Sequence, residues 1–290
     1  MNVKSKYSVD KSINFWKQRA KIGKNKWTNI GYPDDMSFNH YMDNIQNRYL
    51  KRIISQITKD DKVLDVGCGT GRFSKRFSEK SGSVNGIDIV KENINLCKQL
   101  SLSDRNIDYQ VMDVRKLKFS DSNFDWIFSI TCLEHLTQEK ELRLAIKELF
   151  RVLKTGGKLI LIEDMGTRRK NCPCIISIER NKWFEMIKEN GGNIIEWNSI
   201  DNVYLRQLRE LIMLITRKIT RKKFKRDSDT IINDKNVVKY YGKMSYLCKI
   251  IENIISYITI KLLVQPWETM RYYYRKKGNS IYTFMVIEKI

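Results

Sequence analysis

Apolar residues in the first two thirds of this chain fall into short runs separated by segments of helical spacing. The runs are Val63-Leu64-Asp65-Val66, Ser83 to Ile89, Ile107 to Met112, Phe124 to Ile130 and Leu159 to Ile162. Short apolar runs bounded by turn residues read as buried strands. Between them lie helical segments: Phe38 to Gln56, with Tyr41, Ile45, Tyr49 and Ile53 spaced by four, then Arg72 to Lys80 and Gln138 to Leu153. A turn at Lys154 to Gly157 precedes the fifth strand. A further helix around Trp183 to Ile187 ends at Gly191-Gly192, a sixth strand spans Asn193 to Trp197, and Ser280 to Ile287 alternates like a last strand. Strands alternating with helices predict an α/β sheet covered on both faces.

One junction breaks the apolar pattern with chemistry. Val63-Leu64-Asp65-Val66 runs directly into Gly67-Cys68-Gly69-Thr70-Gly71, a strand, a tight turn and the start of a helix. Glycine tolerates positive φ and leaves no Cβ between backbone and ligand, so the turn is a candidate cradle for a nucleotide-like cofactor. A dinucleotide site favours G-x-G-x-x-G, with the pyrophosphate on the helix N-terminus. Here the spacing is G-x-G-x-G, with Asp65 two residues before the first glycine. An anion there repels a pyrophosphate and attracts a ligand carrying an ammonium and a sulfonium. S-adenosylmethionine (SAM) is such a ligand.

The glycine turn, Asp88 at the end of the second strand, Asp113-Val114 at the end of the third and Leu133-Glu134-His135 after the fourth together resemble the class I SAM-dependent methyltransferases. Within them the resemblance is to the ubiquinone/menaquinone-methyltransferase-like (type 11) branch, which acts mainly on small molecules. It is dense over residues 50 to 165 and loose elsewhere. It implies a doubly wound Rossmann-like α/β fold: a seven-stranded sheet of order 3-2-1-4-5-7-6 with the last strand antiparallel, an N-terminal helical cap and a helical insertion before that strand. It also implies site roles. Asp65, Gly67, Gly69 and Gly71 form the methionine-side cradle, Asp88 grips the ribose with Ile89 against the adenine, Asp113 and Val114 contact the adenine, and Ile130 contributes backbone beside the cofactor.

The expected organisation is a cap over 1–50, a SAM-binding core over 51–200, a basic helical insertion over 201–279 and a final core strand over 280–290. The cap segment holds Trp16, Trp27, Tyr32 and Tyr41 and a Gly31-Tyr32-Pro33 turn. Its aromatics either close the substrate pocket or pack a helix against the sheet. The insertion of about 80 residues is the main departure from the family pattern, where the last two strands form a near hairpin.

Charge adds one question. Of the formal +21, residues 201 to 290 carry +11, from 19 Lys+Arg against 8 Asp+Glu. Leu208, Leu211, Ile212, Ile215 and Ile219 recur at helical spacing with Arg217-Lys218 and Arg221-Lys222-Lys223 close behind, and Tyr272 to Tyr274 mix with Arg271, Arg275, Lys276 and Lys277. Such a region, 205–277, suits an anionic membrane surface, a lid with a solvated charged face, or nucleic acid. A Lys-, Ile- and Asn-rich bias of an AT-rich genome explains part of the charge without selection.

Six cysteines lack disulfide or zinc spacing, Cys172-Pro173-Cys174 being the only close pair, so no metal is expected and free thiols in a reducing, cytoplasmic compartment are. The first residues lack the apolar core of a signal peptide, and Ile250 to Val264, the nearest approach to a membrane span, is broken by Glu252 and Lys261.

Methyl transfer to a hydroxyl requires a proton acceptor. His135 is the candidate base because imidazole titrates near neutrality and follows the fourth strand; alternatively it begins the next helix and only packs there. Glu134 is the second candidate, as base or as a group that orients His135. Glu163 and Asp164 are further acids at a strand end, unless simply solvated. Ile130-Thr131-Cys132-Leu133 lacks the Pro-Pro-aromatic sequence of adenine-N6 enzymes. The order of Cys132 and Pro173-Cys174 is the reverse of that in RNA cytosine-C5 enzymes, so neither cysteine is assigned as nucleophile. The expected activity is methylation of a small-molecule or carrier-linked glycan or lipid acceptor, at oxygen. An RNA methyltransferase using the basic region and a non-catalytic SAM-binding scaffold subunit are the alternatives. Oligomeric state is not readable from these residues.

Overall fold

The computed structural model describes residues 9–22, 36–101, 106–136, 138–165, 178–200, 211–212, 254–255, 257–264 and 282–290. Trp27, the Gly31-Tyr32-Pro33 turn, Cys172-Pro173-Cys174 and the basic clusters at 217–223 and 271–277 lie outside these residues.

Seven strands form one sheet: β1 (Lys62–Val66), β2 (Ser83–Asp88), β3 (Ile107–Val111), β4 (Phe124–Ile130), β5 (Leu153–Asp164), β6 (Gly192–Ser199) and β7 (Tyr282–Lys289). Their order is β3-β2-β1-β4-β5-β7-β6. β1 pairs in parallel with β2 and β4, as do β2 with β3 and β4 with β5, whereas β7 runs antiparallel to both β5 and β6. The sheet has the expected order and the expected antiparallel strand.

Both faces of the sheet are covered, which is why its strands read as apolar runs. Along β5, Leu159 and Leu161 join one core cluster and Ile160 and Ile162 the other; along β7, Met285 and Ile287 alternate with Phe284 and Val286 in the same way. The first cluster takes in α5 (Glu139–Val152) and α6 (Arg180–Glu189) through Leu142, Ile146, Leu149, Trp183 and Ile187. The second takes in α2 (Met36–Ile54) through Tyr41, Met42, Ile45, Leu50 and Ile53. Ile260 also packs there, from a short π-helical turn at Ile260–Val264.

The elements differ from expectation at two junctions. The helix after the glycine turn shortens to α3 (Ser74–Ser78), because Arg72 and Phe73 are still part of the turn. The expected turn at Lys154 to Gly157 is part of β5, whose register against β4 shifts between Phe124 and Trp126. Gly156, at φ 75, lies in that stretch. Of the N-terminal aromatics, Tyr41 of α2 packs on the sheet, whereas Trp16 of α1 (Val9–Ile22) lines a cavity at the C-terminal ends of the strands. α1 rests on α4 (Lys91–Leu100).

Candidate active site

The cavity lies where strand order reverses around β1 and β4, the crevice in which open α/β sheets bind ligands. Its floor is the turn after β1, where Gly67, Gly69 and Gly71 have φ of 67, 55 and 75. A Cβ on Gly67 would meet Cys132 Sγ at 2.4 Å, so the strand-to-turn crossing closes only with glycine there. Gly71 stands outside the cavity lining; a Cβ on it would meet the Tyr109 hydroxyl at 2.5 Å, and its amide donates to the Cys68 carbonyl at 2.9 Å. Its part is to seat the turn on the protein behind it.

Asp65 is buried at 3 % exposure and accepts from Ser74 Oγ at 2.5 Å. Burial pushes its carboxyl up to about 6, against the opposing pull of Ser74 and the Arg72 charge. It is a desolvated acid facing a cavity, a site that gains from a ligand cation. Arg72 beside it donates to Gln46 Oε1 at 2.7 Å and pairs with Asp43, both on α2, and its guanidinium lies 3.9 Å over the Phe73 ring. α2 is thereby bolted to the glycine turn.

Asp88, at the end of β2, accepts from the amides of Gly69 at 3.0 Å and Val90 at 2.8 Å and from Asn93 Nδ2 at 3.3 Å. Burial raises it to about 6 despite those donors. The hydrogen bond to Gly69 ties the glycine turn after β1 to the end of β2. Asp113 follows β3 and is held by Arg115: the Arg115 amide donates to Oδ1 at 2.9 Å, Nε lies 3.0 Å from both oxygens and Nη2 2.6 Å from Oδ2. Burial alone would raise this acid, but the Arg115 hydrogen bonds and charge hold it below the usual carboxylate range. Ile89, Val114 and Ile130 also line the cavity.

The wall after β4 is a single 3-10 turn, Leu133–His135, that ends well before α5 begins, so His135 does not open the helix. Thr131 precedes it at φ 54, a strained value for a β-branched residue, with its hydroxyl on the Ile130 carbonyl at 2.7 Å. Glu163 fixes the turn from below. It accepts from Ser129 Oγ at 2.7 Å, from the amides of Cys132 and Leu133 at 3.2 Å each, and from that of Glu134 at 3.1 Å. Burial raises its carboxyl far above normal, and the nearby Glu134 charge adds to the shift. Glu163 and Asp164 are fully buried within β5, which overturns the reading of them as solvated strand-end acids.

His135 lines the cavity with its ring 4.8 Å from Trp16 in edge contact, beneath α1. Glu134 is 2 % exposed and outside the lining. Its Oε2 accepts from the Asp164 amide at 2.7 Å and its Oε1 lies 3.9 Å from His135 Nε2. Glu134 thus sits behind the imidazole, farther than a hydrogen bond and outside the cavity lining. Nine of the sequence-derived site residues therefore line one cavity: Asp65, Gly67, Gly69, Asp88, Ile89, Asp113, Val114, Ile130 and His135. Sequence reasoning missed Arg72, Thr131, Cys132 and Arg115 as lining residues; none stands in a pattern that marks it, since contacts across elements give them their place.

Among known proteins, the family model described as a methyltransferase domain matches residues 64–161, from β1 to β5. The phosphoethanolamine N-methyltransferase of Plasmodium falciparum is 30% identical over 124 residues, 42% of this chain and 46% of that protein. The ubiquinone biosynthesis O-methyltransferase of Idiomarina loihiensis is 35% identical over 100 residues, 34% of this chain and 40% of that one. The chain spans less than half the length of these two relatives. The fold of the methyltransferase domain recurs in the N-methyltransferase NodS of Bradyrhizobium japonicum, solved in complex with S-adenosylhomocysteine (SAH), at a TM-score of 0.52 and 16% identity over 67% of this chain and 92% of that one. Among the described residues no group of three or more His, Cys, Asp and Glu could hold a metal, and no helix is long and apolar enough to cross a membrane.

Proposed function

We propose that this protein is a SAM-dependent methyltransferase that modifies a small-molecule or carrier-linked glycan or lipid acceptor at oxygen. The observation that carries the reading is the convergence of three strand-end acids, two positive-φ glycines and one histidine on a single cavity. The residues suit SAM: a desolvated carboxylate for a cationic end, an acid at the ribose position and an ionised acceptor at the base end.

When bound, SAM supplies an electrophilic methyl group with its leaving group built in, so orientation and exclusion of water are the protein's main contributions. Gly67 and Gly69 bring backbone to the methionine side, where the Asp65 carboxylate faces the ammonium. Asp88 accepts from the ribose hydroxyls, Ile89 and Val114 flank the adenine, Asp113 accepts its amino group, and Ile130 contributes backbone. His135 takes the acceptor's proton while Glu134 holds the ring, and Trp16 on α1 shields the same space. The division into a cap, a core, a basic insertion and a last strand belongs to this reading, with the cap role carried by α1.

The insertion is the place for the acceptor's carrier. Ile254, Tyr257, Ile258 and Leu262 are exposed, the last at 71 %, next to exposed Lys261. Apolar side chains beside cations support peripheral contact with an anionic membrane, in the cytoplasm. One set of measurements tests the reading. Asp88→Ala should weaken SAH binding by calorimetry at least about tenfold, whereas His135→Ala should leave SAH affinity within about twofold and lower turnover by roughly 10²- to 10⁴-fold. With labelled SAM and fractionated lysate from the native source, label should enter lipid or glycan and the protein should co-sediment with anionic but not neutral vesicles. Label in RNA, SAH binding without turnover on any fraction, or an unchanged SAH affinity in Asp88→Ala would each refute the corresponding part.

A further inference from the structure

Arg115 is held at both ends of its guanidinium. One side forks onto Asp113, with Nε 3.0 Å from both carboxylate oxygens and Nη2 2.6 Å from Oδ2; on the other, Nη1 lies 3.1 Å from Glu141 Oε1 at the start of α5. Glu141 is itself buried, at 8 % exposure. A planar five-donor group clamped between two acids from different elements has little rotational freedom, and the carboxylate it grips inherits that rigidity. Both Asp113 and Arg115 line the cavity. Asp113 is therefore presented to a ligand as an oriented, acceptor-only group.

We propose that Arg115 is the positioning residue that sets nucleobase specificity, by fixing Asp113 so that the cavity takes a 6-amino purine and rejects a 6-oxo purine. The inference rests on the proposed SAM site. A carboxylate aimed at an exocyclic amino group gains a charge-assisted hydrogen bond. Aimed at a keto oxygen it sets two acceptors against each other, and buried polar mismatches of this kind discriminate far better than shape does. Without the fork from Arg115, Asp113 is free to turn away or to take a proton and donate to the keto oxygen, and the discrimination collapses. Lysine supplies charge but no fork, so it restores affinity without restoring selectivity.

The test is the ratio of dissociation constants for S-inosylhomocysteine and SAH, measured by calorimetry on the full chain. In the unmodified protein the ratio should exceed about 100. In Arg115→Met it should fall by at least about tenfold, and Arg115→Lys should stay closer to Arg115→Met than to the unmodified protein. A residue with only a structural role would weaken both ligands equally and leave the ratio alone. Asp113→Asn guards against misfolding: an amide can donate to the keto oxygen, so this variant should bind the inosyl ligand more tightly than the unmodified protein does. An unchanged ratio in Arg115→Met, or no gain for the inosyl ligand in Asp113→Asn, overturns the inference while leaving the SAM site intact. Failure of the unmodified protein to bind SAH overturns the site and the inference with it.

Discussion

Asp65 and Gly67 show how a few atoms decide what the cavity accepts. Asp65 is desolvated enough to be pushed up to about 6, so it is a weak anion until a cation arrives. Gly67 is held at φ 67 with Cys132 Sγ against the position of a Cβ. Gly67→Ala adds the cost of a left-handed residue, about 1–2 kcal/mol, to the displacement of Cys132. It should lower the melting temperature by several degrees and reduce SAH affinity at least tenfold, read by thermal shift and calorimetry. An alanine variant with native affinity would show that the strand-to-turn crossing has slack. The G-x-G-x-G spacing made this residue legible, because positive φ leaves a mark in composition. Cys132, its steric partner, could not be found that way, since nothing local says that two segments this far apart in sequence touch.

At the scale of elements, the turn after β4 depends on a carboxylate that comes from β5. Glu163 is the acceptor for three successive backbone amides and for Ser129 Oγ. Glu163→Ala would strip these buried donors of their acceptor, at about 1–3 kcal/mol for each one left unsatisfied. Glu163→Gln keeps one oxygen but turns an amide donor toward another donor. The expected order of melting temperature is unmodified, then Glu163→Gln, then Glu163→Ala, and the turnover proposed to depend on His135 should fall in step. Equal stability of all three would mean that the turn is held by packing alone. The strands themselves were legible in their apolar runs, and the sheet order came with the family resemblance. The shortened α3, the continuous β5 and the split roles of α1 and α2 were not, because each is fixed by tertiary contact and not by local periodicity. The same holds for Glu163, which reads in isolation as one more acid at a strand end.

For the molecule as a whole, two cavity acids set a pH dependence opposite to that of ordinary salt-bridged carboxylates. Asp65 and Asp88 are raised to about 6 from about 3.8, so between those values the folded chain binds more protons than the unfolded one. Their contribution to stability is intact below about pH 4 and is lost as pH rises through 6; for the deeply buried Asp65 this amounts to about 3 kcal/mol. A cationic ligand reverses the sign, because it is the ionised acid that it pairs with. The rise in melting temperature produced by saturating SAM should therefore be larger at pH 7 than at pH 5, and thermal shift across that range checks it. A ligand-induced rise that does not change with pH would separate Asp65 from the cationic end of the ligand.

The antiparallel strand has a consequence in time. β6 is not paired with β5; it reaches the sheet only through β7, which begins at Tyr282, long after β6 ends at Ser199. On a ribosome adding roughly 5–20 residues per second, β1 to β5 can assemble while the far edge of the sheet waits several seconds for its missing member. During that interval the outer edge of β5 stands open, an unpaired strand of the kind that captures neighbouring chains. The part of the sheet that lines the cavity is thus ready early, and its seal against aggregation arrives only with β7.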